Sequence, residues 1–355
     1  MGNLLLLEEA VHFSVSDSVL PLFIGVHYGG RYIKVGIVDS EGQTISYFSS
    51  PACSEQNPTL EVERAAELIK YAVIKTGIDF ELVPRVGFSF PGSVSPHTER
   101  LYRPPNLPNW CDFPVVAELN KVLGRDVTVF CNDANAAAFA EYWIGAAQGM
   151  HSLALIFLGN GIGCGMLIDG DELRGANGLG GEFGHIIIDS SPFARWCSCM
   201  KQGHLEAYAS SPAVARRTRE LLEVGLGSSL ADRVTERTPL NEIPRMVYEE
   251  ADKGDKLAEQ IIKDTARYIG LGAATLIHTI DPECVLIGGE MMFGGKGSRV
   301  GEMFLDEIRK EVYGRGLMDL TKFFKIDFAK LGSYACYIGA AGLAREESLL
   351  FSVNE

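Results

Sequence analysis

A chain of 355 residues that is 46% hydrophobic and 22% charged is long enough to bury two cores and has the composition of an ordinary globular protein. Its formal net charge of −14 disfavours a nucleic-acid groove or an anionic membrane surface, which would repel it, and leaves small polar substrates open. No apolar run reaches the roughly 20 residues of a membrane span, and Leu4-Leu5-Leu6-Leu7 runs into Glu8-Glu9 with no basic stretch before it. The protein therefore reads as cytoplasmic, with neither membrane nor nucleic acid as a partner. Six of the eight cysteines stand singly, and only Cys197-x-Cys199 forms a pair.

In chain order, residues 1–20 show no clear period and read as a poorly packed leader. Two apolar strands follow, Leu22 to Val26 and Ile33 to Val38, joined through Tyr28-Gly29-Gly30-Arg31. A Gly-Gly turn is first a hairpin signal; paired glycines also let backbone amides approach a phosphate. Helical spacing covers Thr59 to Thr76, and a strand at Val86 to Phe90 runs into the turn Pro91-Gly92-Ser93. The prolines of Pro104-Pro105-Asn106-Leu107-Pro108 stiffen a loop suited to holding a ligand. A helix from Phe113 to Val122 precedes the strand Val127 to Phe130. The alternation of strands and helices predicts an α/β fold.

Asp133 falls where that strand turns into an alanine-rich helix ending near Trp143. A carboxylate there is either a helix N-cap or a general base at a strand's end. Further on, Leu153 to Leu158 reads as a buried strand, followed by Gly159, Gly161, Gly163 and Gly165, where the backbone is approached closely. Glu182 and His185 lie three apart in a glycine-rich loop, before a predicted apolar strand Ile186-Ile187-Ile188. His185, Cys197, Cys199 and His204 supply four soft or borderline ligands, enough for a tetrahedral structural zinc; the alternative is small buried cysteines and hydrogen-bonded histidines. A metal knot there would draw Glu206 toward the same pocket. Residues 211–281 read as helical, Cys284 to Ile287 as a strand meeting Gly288-Gly289, Val300 to Val312 as a helix, Phe324 to Ile326 as a strand and Ala335 to Glu347 as an apolar helix. The turns at Gly29 and Gly159 hint at two related halves.

The ordered set Gly29-Gly30, Pro91-Gly92, Asn106-Leu107-Pro108, Asn132-Asp133-Ala134-Asn135, Gly159-x-Gly161-Ile162-Gly163, Gly180-Gly181-Glu182-x-Gly184-His185, Cys197-x-Cys199 and Gly288-Gly289 resembles the ROK family of sugar kinases and sugar-responsive repressors. The likeness runs from about residue 22 to residue 346. It implies a two-lobed actin-like ATPase (ribonuclease H-like) fold with a cleft between the lobes, and a homodimer. The lobes are expected at 21–133, completed by a C-terminal helix 335–348, and at 134–334, carrying the zinc loop. The resemblance makes Asp133 the base for the attacking sugar hydroxyl. Pro91, Gly92, Ser93, Asn106, Asn132, Glu182, His185 and Glu206 would bind the sugar. Gly29, Gly30, Arg31, Gly159, Asn160, Gly161, Gly163, Gly288 and Gly289 would bind ATP with magnesium.

The chain departs from the family pattern on the nucleotide side. Where the family has Asp-Ile-Gly-Gly-Thr, this chain has His27-Tyr28-Gly29-Gly30-Arg31, so a metal-associated carboxylate is replaced by His27 and a hydroxyl by Arg31. Asn160 replaces a threonine, His204 a third zinc cysteine and Met200 a glycine. Magnesium prefers hard oxygen ligands, whereas Arg31 can pair with phosphate directly. The expected activity is an ATP-dependent hexose kinase, glucokinase above all. The alternative is a catalytically weak, regulatory sugar-binding protein. Some twenty leading residues are too few for a helix-turn-helix domain, which sets a DNA-binding repressor behind both.

Overall fold

Glycine and proline punctuation cuts the chain into short apolar strands and amphipathic helices. In the computed structural model the described residues are 8–11, 15–52, 57–95, 97–102, 104, 107–317 and 323–352. In chain order they form β1 (Glu8–Val11), β2 (Phe23–Tyr28), β3 (Tyr32–Val38), β4 (Thr44–Pro51), α1 (Pro58–Thr76), β5 (Val86–Phe90), α2 (Val115–Leu123), β6 (Thr128–Asn132) and α3 (Asp133–Trp143). Next come β7 (Leu153–Leu158), β8 (Ile162–Ile168), β9 (Asp171–Glu172), α4 (Glu206–Ala209), α5 (Ser211–Glu223), α6 (Ile243–Asp252), α7 (Lys256–Ile280), β10 (Cys284–Gly289), α8 (Arg299–Arg315), β11 (Lys325–Phe328) and α9 (Ala335–Ser352). Local chemistry sets many of the ends. Asn57 accepts from the Thr59 amide at 2.9 Å to start α1, and Gly77, at φ 72°, ends it in the left-handed conformation that glycine adopts most readily.

The chain divides into two compact units, residues 1–149 with 172–180 and 333–355, and residues 150–171 with 181–332. In the first, a sheet of order β1-β4-β3-β2-β5-β6 pairs β2 antiparallel with β3 and parallel with β5, and β5 parallel with β6. In the second, the order β11-β10-β7-β8-β9 repeats that plan, with β7 antiparallel to β8 and parallel to β10, and β10 parallel to β11. The two related halves hinted at by the glycine turns are thus two copies of one strand plan. Ile24, Val26, Val35 and Ile37 pack with Leu68 and Ile69 of α1 in the first core. Ile156, Val285 and Ile287 pack with Ile262, Ile269, Phe304 and Ile308 in the second.

Helix α9 belongs to the first unit, and its seat explains several glycines. A methyl at Gly25 would overlap the Tyr337 carbonyl oxygen, and one at Gly87 the Ala340 carbonyl, so these strand positions let a helix backbone lie directly on the sheet. On its other side α9 packs against α3, where Gly339 lies against the Ala136 carbonyl and Gly342 against Phe139 and Trp143.

Three sequence expectations change. Residues 8–11 are not part of a loose leader: β1 pairs antiparallel with β4, from Glu8 opposite Ser49 to Val11 opposite Ser46. An edge strand of four residues is held by backbone bonds and leaves no hydrophobic period to read. The boundary expected at residue 133 lies near 149, because the small residues of α3 pack on α9 of the first unit. Ile186 to Ile188 is not a strand; Ile187 makes one isolated bridge to His204 and is 68% exposed. Among the described residues, no helix is long and apolar enough to cross a membrane.

Candidate functional site

In the first unit, the strand-to-helix turn separates two roles that the sequence left open for Asp133. The N-cap of α3 is Asn132: its Oδ1 accepts from Ala134 N at 2.9 Å and Asn135 N at 3.3 Å. Asp133 is the first residue of the helix, half-buried, with Oδ1 2.9 Å from the Ala134 amide. Asn132 also donates from Nδ2 to the Gly92 carbonyl at 3.0 Å, which ties the Pro91-Gly92-Ser93 turn to the start of α3. Gly92 is at φ 112° and packs against Pro104, a place where a side chain would be strained. Asn132 thus joins the Pro91-Gly92-Ser93 turn to the start of α3. Asn106 lies outside the described residues. One turn into α3, buried Asn135 donates to Glu172 Oε1 at 2.5 Å, and Arg174 pairs with Glu172 Oε2 at 2.7 Å.

The hairpin β2–β3 turns through Gly29 and Gly30, with Gly29 N bonded to Tyr32 O at 2.9 Å and Gly30 at φ 77°. Arg31 is exposed at the tip. Beneath it, His27 Nδ1 lies 2.9 Å from Ser89 Oγ, and a Cβ at Gly29 would come within 2.9 Å of His27 Nε2. Although His27 keeps a partly exposed edge, burial of its ring, with a smaller push from Lys34, lowers it from 6.5 to about 3. It is a neutral imidazole at physiological pH, and its Nδ1 is engaged by Ser89.

In the second unit, the hairpin β7–β8 turns through Gly159-Asn160-Gly161, with Gly159 N bonded to Gly161 O at 3.0 Å and Asn160 exposed. Gly163 lies within β8. At the end of β10, Gly289 is at φ 98° and a methyl there would overlap the Leu158 carbonyl. Gly288 would carry its Cβ 3.1 Å from that of Ala329. Packing alone therefore accounts for glycine at 289.

His185, Cys197, Cys199 and His204 converge, with one ligand atom from each lying within 4.8 Å of the others. Cys199 Sγ is 3.2 Å from His204 Nδ1 and Cys197 Sγ is 3.7 Å from His185 Nδ1. The donor set suits a soft or borderline cation in tetrahedral coordination. Burial pushes the Cys197 thiol up to about 11, and burial together with His185 lowers His204. A raised thiol needs a nearby cation to become a thiolate ligand. The loop is fastened from behind. Tyr208 donates to Asp189 Oδ2 at 2.6 Å and accepts from Arg195 N at 2.8 Å, and Arg195 forks onto Glu220 of α5 at 2.8 and 2.5 Å. Met200 sits in the loop at φ 65°, a conformation that costs a residue with a side chain about 1 kcal/mol and that glycine adopts freely.

Two candidate sugar carboxylates border this cluster. Glu182 Oε2 is 3.8 Å from His185 Nε2. Glu206 opens α4; its Oε1 accepts from Ser198 Oγ at 2.6 Å and lies 3.6 Å from Cys197 Sγ, while its Oε2 accepts from Ile162 N at 3.1 Å. Sequence reading missed Ser89 and Ser198. Ser89 carries no local signal, since its pairing with His27 is made across two strands; Ser198 is marked only by lying between the two cysteines.

A profile of the ROK family matches residues 23–347. The chain is 34% identical to a glucokinase of Streptomyces coelicolor over 338 residues, covering 92% of this chain and 98% of that one. It is 28% identical to a putative xylose repressor of a Caldicellulosiruptor species, over 93% of this chain and 79% of the relative. Among solved structures, a ROK family glucokinase from Streptomyces griseus in complex with glucose and AMPPNP is 32% identical, with a TM-score of 0.72 over 92% of this chain and 100% of that one. The two sheets and their helices are those of the actin-like ATPase fold.

Proposed function

The chain belongs to the ROK family, and from that premise we propose that it is an ATP-dependent hexose kinase acting on glucose or a close relative. The observation that carries the reading is that the N-cap position of α3 is filled by Asn132, so Asp133 stands at the strand's end as the first helical residue rather than as the cap. Asp133 takes the proton of the attacking hydroxyl as its oxygen bonds to the γ-phosphorus and the bond to the leaving ADP oxygen breaks. Glu182, His185 and Glu206 pair with the other hydroxyls; a neutral polyol needs such a density of donors and acceptors. The Gly29-Gly30 and Gly159-Asn160-Gly161 turns offer backbone amides to the nucleotide phosphates, and Arg31 adds a charged donor. Gly288 and Gly289 lie under the adenosine in this reading.

Zinc is the ion that His185, Cys197, Cys199 and His204 would hold, supplying a rigid tetrahedral knot rather than chemistry. Magnesium fits the first hairpin poorly, because His27 is neutral, nitrogen-based and engaged by Ser89. That observation favours a second reading, a sugar-binding regulatory protein that handles ATP weakly. A homodimer belongs to both readings and is checked by light scattering. A coupled phosphorylation assay with ATP and magnesium, run across glucose, mannose, N-acetylglucosamine, N-acetylmannosamine and fructose beside calorimetric sugar binding, separates the two. Turnover of a bound sugar supports the kinase. Binding of a sugar with no turnover leaves the sensor.

A further inference from the structure

Glu206 is a clamp whose two oxygens face in different directions. Oε2 accepts from the Ile162 amide at the first residue after the Gly159-Asn160-Gly161 turn, and lies where a Cβ at Gly161 would meet it at 2.7 Å. Oε1 is held by the cysteine loop, at 2.6 Å from Ser198 Oγ and 3.6 Å from Cys197 Sγ. These two donors are not equivalent once a cation is bound. A sulfur coordinated to a metal has no proton to give, and its negative charge faces a carboxylate. The serine hydroxyl, between two ligands but not itself one, keeps its proton in either state.

We propose that Ser198 is a positioning residue: in the metal-loaded protein its hydroxyl holds the Glu206 carboxylate against the Ile162 amide, so that the metal loop sets the order of the Gly159-Asn160-Gly161 turn. The proposal rests on the kinase reading only for its consequence in sugar binding; the clamp itself is independent of activity. Loss of one hydrogen bond to a charged group corresponds to about a tenfold effect. In Ser198→Ala, purified with its metal, metal content stays at the wild-type value and hydrogen exchange at the Ile162 amide speeds up about tenfold, the scale of that lost bond. If the kinase reading holds, the sugar KM rises by a similar factor while kcat changes far less, since Glu206 binds rather than reacts. Ser198→Thr, which keeps the hydroxyl, restores both measurements. The proposal is overturned if metal-loaded Ser198→Ala exchanges Ile162 at the wild-type rate, or if Ser198→Thr behaves as the alanine variant does. A protein with no kinase activity but with faster exchange in Ser198→Ala would retire the kinase reading and leave the clamp standing.

Discussion

The hairpins β2–β3 and β7–β8 share a strand plan and a glycine turn, yet they rest on opposite chemistry. Under the first lies a neutral imidazole bonded to a serine on the neighbouring parallel strand. Under the second lies the Glu206 carboxylate, accepting from the hairpin's own Ile162 amide. Backbone amides presented by a tight turn need glycine and little else, so the turn repeats in both halves. What supports each turn is a side chain beneath it, from the hairpin's own β2 in the first half and from α4 in the second, and there the halves differ. The first turn carries exposed Arg31 at its tip; the second is braced from beneath by Glu206, which is bonded to the loop of the His185, Cys197, Cys199 and His204 cluster.

The largest effect is expected where neither hairpin is touched. Asp133→Asn keeps size and hydrogen bonding but cannot take a proton, so turnover should fall by about 10² to 10⁴, the usual worth of a general base. Sugar and nucleotide affinities should stay within a few fold, because both turns and the Asn132 cap remain. Turnover equal to wild type would return Asp133 to a purely structural place at the start of α3.

Next comes a break in the second hairpin's support alone. Cys197→Ser with Cys199→Ser should abolish binding of one zinc per chain, measured by metal analysis of protein purified without added zinc. Glu206 would lose its fixed neighbour, and sugar affinity should drop about 10- to 100-fold, as when residues that orient a metal site are lost. Full metal content in the double variant would remove these cysteines from the ligand set.

How much of this was legible in the sequence follows the same division. Apolar runs bounded by glycine marked β2, β3, β5, β7 and β10, because a buried strand must be continuously apolar. The grouping of His185, Cys197, Cys199 and His204 was legible because soft ligand types are rare and their spacing is short. By contrast, β1 and the attachment of α3 to the first unit were not, since edge pairing and helix seating depend on partners distant in sequence. Met200 stood out in the sequence as a substitution of glycine, and its φ of 65° supplies the reason that glycine suits the position. The His27–Ser89 contact spans 62 positions and had no local signature.

A smaller effect tests the first hairpin's tip. Arg31→Thr removes a charged donor without adding a carboxylate, and should weaken ATP binding by about tenfold, the scale of one charge-assisted hydrogen bond. His27→Asp with Arg31→Thr puts a hard ligand beneath the turn instead. A rate well above wild type would mark the native site as weak, and an equal or lower rate would mark it as adapted to Arg31. Calorimetric titration of ATP and steady-state rates give both answers.

The last effect concerns what lies beneath that turn, and it is a matter of protons. His27 has its pKa lowered from 6.5 to about 3, chiefly by burial. Above pH 6.5 the ring is neutral whether the chain is folded or not, and the stability is fully present. As the pH falls from 6.5 toward 3, the unfolded chain takes up a proton that the folded one refuses, so stability is lost with acid. The loss from this one group is limited to about 1.4 kcal/mol per pH unit below the unfolded value. His27→Gln can still bond Ser89 but cannot titrate, so urea denaturation at pH 7 and pH 5 should show the wild type losing more stability than the variant. Other carboxylates titrate equally in both proteins and cancel in that difference. Parallel losses in the two proteins would mean that His27 is protonated in the folded state, and that the first hairpin, like the second, rests on a charge.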